Sequence, residues 1–393
     1  MVLTLARALR IPILVIVALV ALFAVQDRAA AVAQTSTATG DWTSTSTWVS
    51  GTVPASGDTV TIASGHTVTV STTVSIVGIT VDAGGTLVVT GSLSVGPSNL
   101  AVEGTVTNNG TLSVTGTLTG AGTLTQGTSA TLNIGNAVAP TITTLDATTN
   151  LPNTVNYNFA GDQAIKVNTY SNLTLSGSGT KTGALATNAV SGALTLAGTA
   201  AFTTVTSMVV GGALNVQGGA LTIPNAVTIT GNTTLSGGTL AITTLTGAKT
   251  FTGDITVNGG TWQNNAAVAP VTVGGNITFI SGTFTSGTGV YTLNGANKTI
   301  TGPISIAAVT LVSPGSLSIS GAVSIGALTA TGTTVTNNGT LTISESLGVV
   351  AALAGVGGTL VNGANATLNI ETTVVPAIAN FDLTTNTPNL VNY

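Results

Sequence analysis

An all-β chain, wound as a right-handed parallel β-helix (a β-solenoid) behind an N-terminal signal peptide, is the fold class this sequence predicts. Three observations carry it. Apolar and polar residues alternate with period two through runs such as Thr59-Val60-Thr61-Ile62 and Thr67-Val68-Thr69-Val70, the pattern of a strand with one buried face. Glycine and asparagine corners recur about every 20 residues, the coil length of a solenoid. The sequence also repeats itself on a larger scale. ATLNIGNAVAPTITTLDATTNLPNTVNY at 130–157 returns as ATLNIETTVVPAIANFDLTTNTPNLVNY at 366–393, with 17 of 28 positions identical. The octapeptide TVTNNGTL precedes each copy, at 105–112 and 334–341.

Composition agrees with the pattern. Only 5% of the 393 residues are charged and 4% aromatic, while glycine contributes 50. Disordered chains are rich in charge and poor in branched apolar residues. This one is rich in Val, Ile and Thr, which suit a pleated, half-buried surface.

From the N-terminus, Arg7 and Arg10 precede an apolar run at 11–25, and Ala31-Val32-Ala33 offers a small-residue cleavage site. That is the layout of a secretory signal over 1–33. Fifteen apolar residues containing Pro12 are short for a membrane span, which takes about 20. The expectation is a secreted, extracellular protein with no membrane span after cleavage. Beyond residue 33 there remain ten carboxylates, four lysines and no arginine. Nucleic-acid binding needs clustered basic residues, so it is disfavoured. With no cysteine and His66 as the one histidine, disulfides are excluded and no metal site is expected.

An opening module with the first coils is expected over 34–100. Gly40-Asp41-Trp42 leads to Ser46-Thr47-Trp48, then Gly51, Pro54 and Gly57-Asp58, before TVTIASGHTVTV alternates from Thr59 to Val70. The run from Gly40 to Val70 resembles the opening of the eight-glycine domain and of related repeat modules in large bacterial surface proteins. NTVNYNFAGDQAIKVNTYSNLTLSGSGTKT, at 153–182, is similar to a unit of secreted, adhesin-like β-strand-repeat proteins. The resemblance implies a parallel β-helix displayed outside a bacterial cell. It brings no catalytic residues with it.

Solenoid repeats are expected over 101–372. Gly-Thr-Leu recurs from Gly85, Gly110, Gly116, Gly122, Gly238, Gly339 and Gly358, and glycine marks corners because it tolerates positive φ. Residues 137–172, with more proline and less glycine, read as a variant junction, and 373–393 as the start of a second super-repeat. That copy breaks off at Tyr393, so the sequence reads as a fragment, with an open last coil prone to end-to-end self-association.

Chemistry is sparse. Asp58, Asp82 and Glu103 follow one another at intervals close to one coil; one coil per step would line them up as an acid row for polysaccharide cleavage. Turn and surface acids are the plainer reading. His66 sits in a turn with no partner acid placed beside it by the sequence. Gly177-Ser178-Gly179-Thr180-Lys181-Thr182 echoes a phosphate loop but lacks the glycine before the lysine. Trp42, Trp48 and Trp262 are candidates for stacking on sugars, the first two also for capping the solenoid. Thr-x-Thr pairs such as Thr67/Thr69, Thr105/Thr107 and Thr299/Thr301 raise an ice-binding surface. That requires the pairs in register coil after coil, and their irregular spacing argues against it.

The expectation is therefore a cell-surface structural or adhesive repeat protein without cofactors, whose partners are surface glycans or other surface proteins. A hydrolase or lyase acting on polysaccharide is the alternative, and ice binding a minor one.

Overall fold

The computed structural model describes residues 31–393 apart from 186–187, 266–267 and 351. The expected signal at 1–33 lies, but for its last three residues, outside them. Parallel sheets wind into a β-solenoid of about 16 turns. Helix is confined to the single turns Thr45–Thr47 and Glu345–Leu347 among the described residues.

Each early coil lays one short strand on each of three faces. The first face stacks Ala33–Thr35, Thr59–Ile62, Gly78–Val81, Leu100–Val102 and Leu118–Thr119. The second stacks Gly40–Asp41, Thr67–Val70, Thr86–Val89, Thr105–Asn108, Thr123–Gln126 and Thr144–Asp146. The third begins with Thr73–Ile76, Ser92–Val95, Thr111–Val114 and Thr131–Ile134 and continues far along the chain. Further on, strands such as Ile255–Asn264 and Lys298–Leu311 run through a corner unbroken. The first half of Ile255–Asn264 then pairs on one face and the second half on the next.

The alternation seen in the sequence decides what goes inside. On the second face Val68, Leu87, Val106, Leu124 and Leu145 stack inward, all buried. Burying each such side chain is worth about 1.5–3 kcal/mol, and a single apolar core runs from Trp42 to Ile378. The corner glycines have a steric reason. A Cβ on Gly110 would stand 2.1 Å from the Gly91 carbonyl oxygen, and one on Gly91 2.4 Å from that of Thr72. Successive coils therefore approach backbone to backbone where Gly-Thr-Leu begins.

The super-repeat is offset around the axis as well as along it. Eleven parallel pairing steps lead from Thr111–Val114 up the third face to Thr334–Asn337. By sequence, however, Thr334–Asn337 corresponds to Thr105–Asn108, which lies on the second face. The second copy is thus turned by one face, because the chain from Thr105 to Thr334 does not make a whole number of coils. Local structure survives the turn. Asn108 donates from Nδ2 to Gln126 Oε1 at 2.7 Å and to the Thr131 carbonyl at 2.9 Å, while its Oδ1 accepts the Gly110 N–H at 3.2 Å. Asn337 does the same with Asn362 Oδ1 at 2.8 Å, the Thr367 carbonyl at 2.8 Å and the Gly339 N–H at 3.1 Å. A fully buried amide is tolerated only when its donors and acceptor are met, and TVTNNGTL carries that corner lock intact.

Candidate functional surface

The acid row expected from spacing is not a row. Asp82 and Glu103 follow strands Gly78–Val81 and Leu100–Val102, whose pairing of Val81 with Val102 sets the two acids in neighbouring coils at one corner. Asp58 instead precedes its strand, and its carbonyl accepts the N–H of Val77, at the far end of the next coil's strand. Asp58 thus aligns with Val77 and Asp82 with Ala63, five residues away along extended chain, or about 16 Å. A carboxylate pair for glycoside cleavage stands at most about 9.5 Å apart. Asp58 is also 6% exposed and occupied, with the N–H groups of Val32 and Ala55 each 2.8 Å from its carboxylate. Glu103 is exposed and accepts the Ala121 N–H at 3.1 Å. The three-acid expectation reduces to a pair, Asp82 and Glu103.

The tryptophans are closed to sugars. Trp42, Trp48 and Trp262 are 1%, 2% and 0% exposed, so none offers a ring face. Trp42 and Trp48 pack edge to face at 4.9 Å, with Trp48 Nε1 donating to the Trp42 carbonyl at 2.8 Å. Trp262 stacks on Phe284 and donates to the Tyr291 hydroxyl at 2.8 Å.

His66 Nδ1 lies 2.9 Å from Ser36 Oγ, which in turn accepts the Ala63 N–H at 2.9 Å. This trio ties the first coil to the second. All four lysines turn their ammonium groups onto backbone carbonyls. Lys166 reaches Ile142, Lys181 reaches Phe159, Lys249 reaches Thr246 and Lys298 reaches Gly274. Lys181 and Lys249 are 1% exposed. The segment that echoes a phosphate loop therefore points its lysine into the solenoid, where Gln163 Oε1 is a further acceptor at 3.0 Å. Net charge counted from sequence gave no sign of this; the signal was the alternation itself, since Lys181 occupies the inward position of Thr180–Thr182.

On the second face the outward positions form two files. Thr67, Thr86, Thr105, Thr123 and Thr144 make the first, and Thr69, Val88, Thr107, Thr125 and Asp146 the second, each residue the cross-coil partner of the next. Neighbours in the first file are unevenly spaced in sequence, most closely from Thr105 to Thr123 and most widely from Thr123 to Thr144. The corners absorb this irregularity and the strands stay aligned. This overturns the sequence argument against register. Thr299/Thr301 is not part of the array, because Thr301 pairs with Thr278 on the third face. Among the described residues, none of the eight threonine hydroxyls in the two files has a partner within the chain. On the third face one run of outward groups is spent on itself: Asn133 Nδ2 donates to Ser113 Oγ, and Asn156 Nδ2 to Asn133 Oδ1, both at 3.1 Å.

The sheet register, the corner glycines and the buried Trp48 make the opening coils one continuous structural unit, and comparison with known families places it.

Residues 47–206 match the family model of the G8 domain.

The G8 match takes in Trp48, the Asp82/Glu103 corner and the whole threonine array, and leaves Trp42 outside. It covers less than half of the chain, and the solenoid continues past residue 206. No curated protein and no solved structure matches the chain.

Proposed function

We propose that the chain is a secreted, non-catalytic repeat protein of a bacterial surface, whose solenoid acts as a stalk and presents an adhesive surface to glycans or other surface proteins. The observation that supports this best is the solenoid of about 16 turns carrying a G8 match, a combination that fits a structural or extracellular repeat protein. Packing alone holds it, as an exported protein without cysteine requires. Its lysines are consumed as internal caps, so the charge it shows to solvent is carboxylate. The test is display of the full chain on a non-adherent bacterium, scoring retention on immobilised glycans and on other bacterial cells. Retention above the undisplayed control is expected; retention equal to that control on every surface overturns the adhesive reading.

One observation favours a second reading, a polysaccharide hydrolase or lyase: Asp82 and Glu103 share a corner. Under the leading reading, Asp82→Asn with Glu103→Gln leaves stability within about 0.5 kcal/mol, the usual range for surface positions, and leaves retention on glycans intact. Release of reducing ends from a polysaccharide by the native chain, abolished in the folded double variant, would put the enzyme first.

A further inference from the structure

We propose that the second face of the early coils binds ice through its two threonine files. This goes beyond the stalk reading and does not depend on it. Successive coils place equivalent threonines about 4.8 Å apart, and positions i and i+2 of one strand lie about 6.6–6.8 Å apart. Both repeats are close to those of the oxygen rows on faces of hexagonal ice. Register is unbroken from Thr67–Val70 to Thr144–Asp146, with no bulge in any of the four pairings.

The chemistry of the face suits a water lattice better than a sugar or a protein. Eight of its ten outward positions are threonine, each offering one hydroxyl free of internal partners and one methyl. A hydroxyl anchors a water, and the methyl beside it leaves that water no competing donor. Sugar sites rely on aromatic platforms and charged donors, and this face has neither: every tryptophan is buried and every lysine is capped onto carbonyls. Its only charged outward groups are at the ends of the second file and are occupied. Asp41 accepts from Thr43 and Ser71, and Asp146 from the N–H groups of Thr148 and Thr149. The third face has free hydroxyls as well, but its second outward file is broken where Ser113, Asn133 and Asn156 follow one another and bond together.

The experiment measures thermal hysteresis and incorporation into a growing ice hemisphere for the purified chain. Two double variants are compared with it: Thr86→Tyr/Thr105→Tyr in the array, and Thr234→Tyr/Thr256→Tyr on the third face, where these two are cross-coil partners. The native chain is expected to show hysteresis and to enter the ice. The array variant should lose roughly tenfold in ice affinity, equivalent to about 1.4 kcal/mol, with the third-face variant unchanged. Circular dichroism reports folding, and Thr105→Lys, at an exposed position, replaces the array pair if that pair does not fold. Absence of hysteresis and of ice incorporation in the native chain overturns the proposal, as does equal loss in both double variants. Binding to crystalline cellulose or chitin that the array substitutions abolish, with ice left unbound, overturns it in favour of a polysaccharide.

Discussion

Trp262→Ala is expected to destabilise the protein by about 5 kcal/mol. Trp262 is fully buried at the inward position of its strand, paired with Leu240 in the coil before and Phe284 in the coil after. Its ring lies 5.7 Å from Phe284, nearly parallel, and meets Phe251 edge-on at 5.1 Å. Truncating a buried Trp to Ala costs about 3–5 kcal/mol through lost transfer energy and cavity. The Tyr291 hydroxyl, which accepts from Trp262 Nε1 at 2.8 Å, is then left in the core without that donor, a further cost of about 1–3 kcal/mol. Trp262→Phe keeps most of the ring contact and loses only the hydrogen bond, so it should fall between. In a solenoid each coil interacts mainly with its neighbours, and the damage should therefore stay local. Limited proteolysis would show new cuts around residues 250–295 first, alongside a lower denaturant midpoint. A loss below about 1 kcal/mol for Trp262→Ala would show that the aromatic cluster does not hold these coils together.

Much of this fold was legible because one rule, period-two alternation, governs nearly every strand. Thr67-Val68-Thr69-Val70 announces its inward and outward faces, and Gly-Thr-Leu announces its corners. The same rule holds at Thr180-Lys181-Thr182, where the inward residue is a lysine. A buried cation is costly unless it is hydrogen-bonded, and no spacing in the sequence shows that the Phe159 carbonyl and Gln163 wait for it one coil below. Register was the other gap. Sequence separation counts strand and corner residues together, whereas alignment of strands depends on hydrogen bonding between them. That is why unequal steps along the sequence still give straight files of threonine. It is also why Asp58, one coil before Asp82 by sequence, lands at the opposite end of a strand.

Stability should rise with pH through the alkaline range to a maximum near pH 10 and then fall steeply. Two sets of buried groups act with opposite sign. Burial lowers Lys181 and Lys249 from the ordinary 10.5, for Lys181 against the opposing pull of Asp162. Between their depressed folded values and 10.5 the unfolded chain binds more protons, so stability rises with pH and levels off above 10.5. The tyrosines oppose this above 10.0. Burial pushes Tyr157 up to about 12, against hydrogen bonds from Tyr170 and Lys166, and raises Tyr170 and Tyr291 well above 10.0. Unfolded tyrosines begin to ionise near 10.0 while these three keep their protons, so the native state binds more protons and stability is lost as pH rises. Each tyrosine withdraws about 1.4 kcal/mol per pH unit past that point, which for three approaches about 6 kcal/mol by about pH 11.5. Urea midpoints measured across this range would show the maximum and the fall. Tyr157→Phe/Tyr170→Phe should remove about two thirds of the alkaline slope, since those two hydroxyls, 2.9 Å apart in the core, no longer titrate. Tyrosinate absorbance near pH 10 that Tyr157→Phe/Tyr170→Phe removes, with the chain still folded, would show that the core does not shield these two.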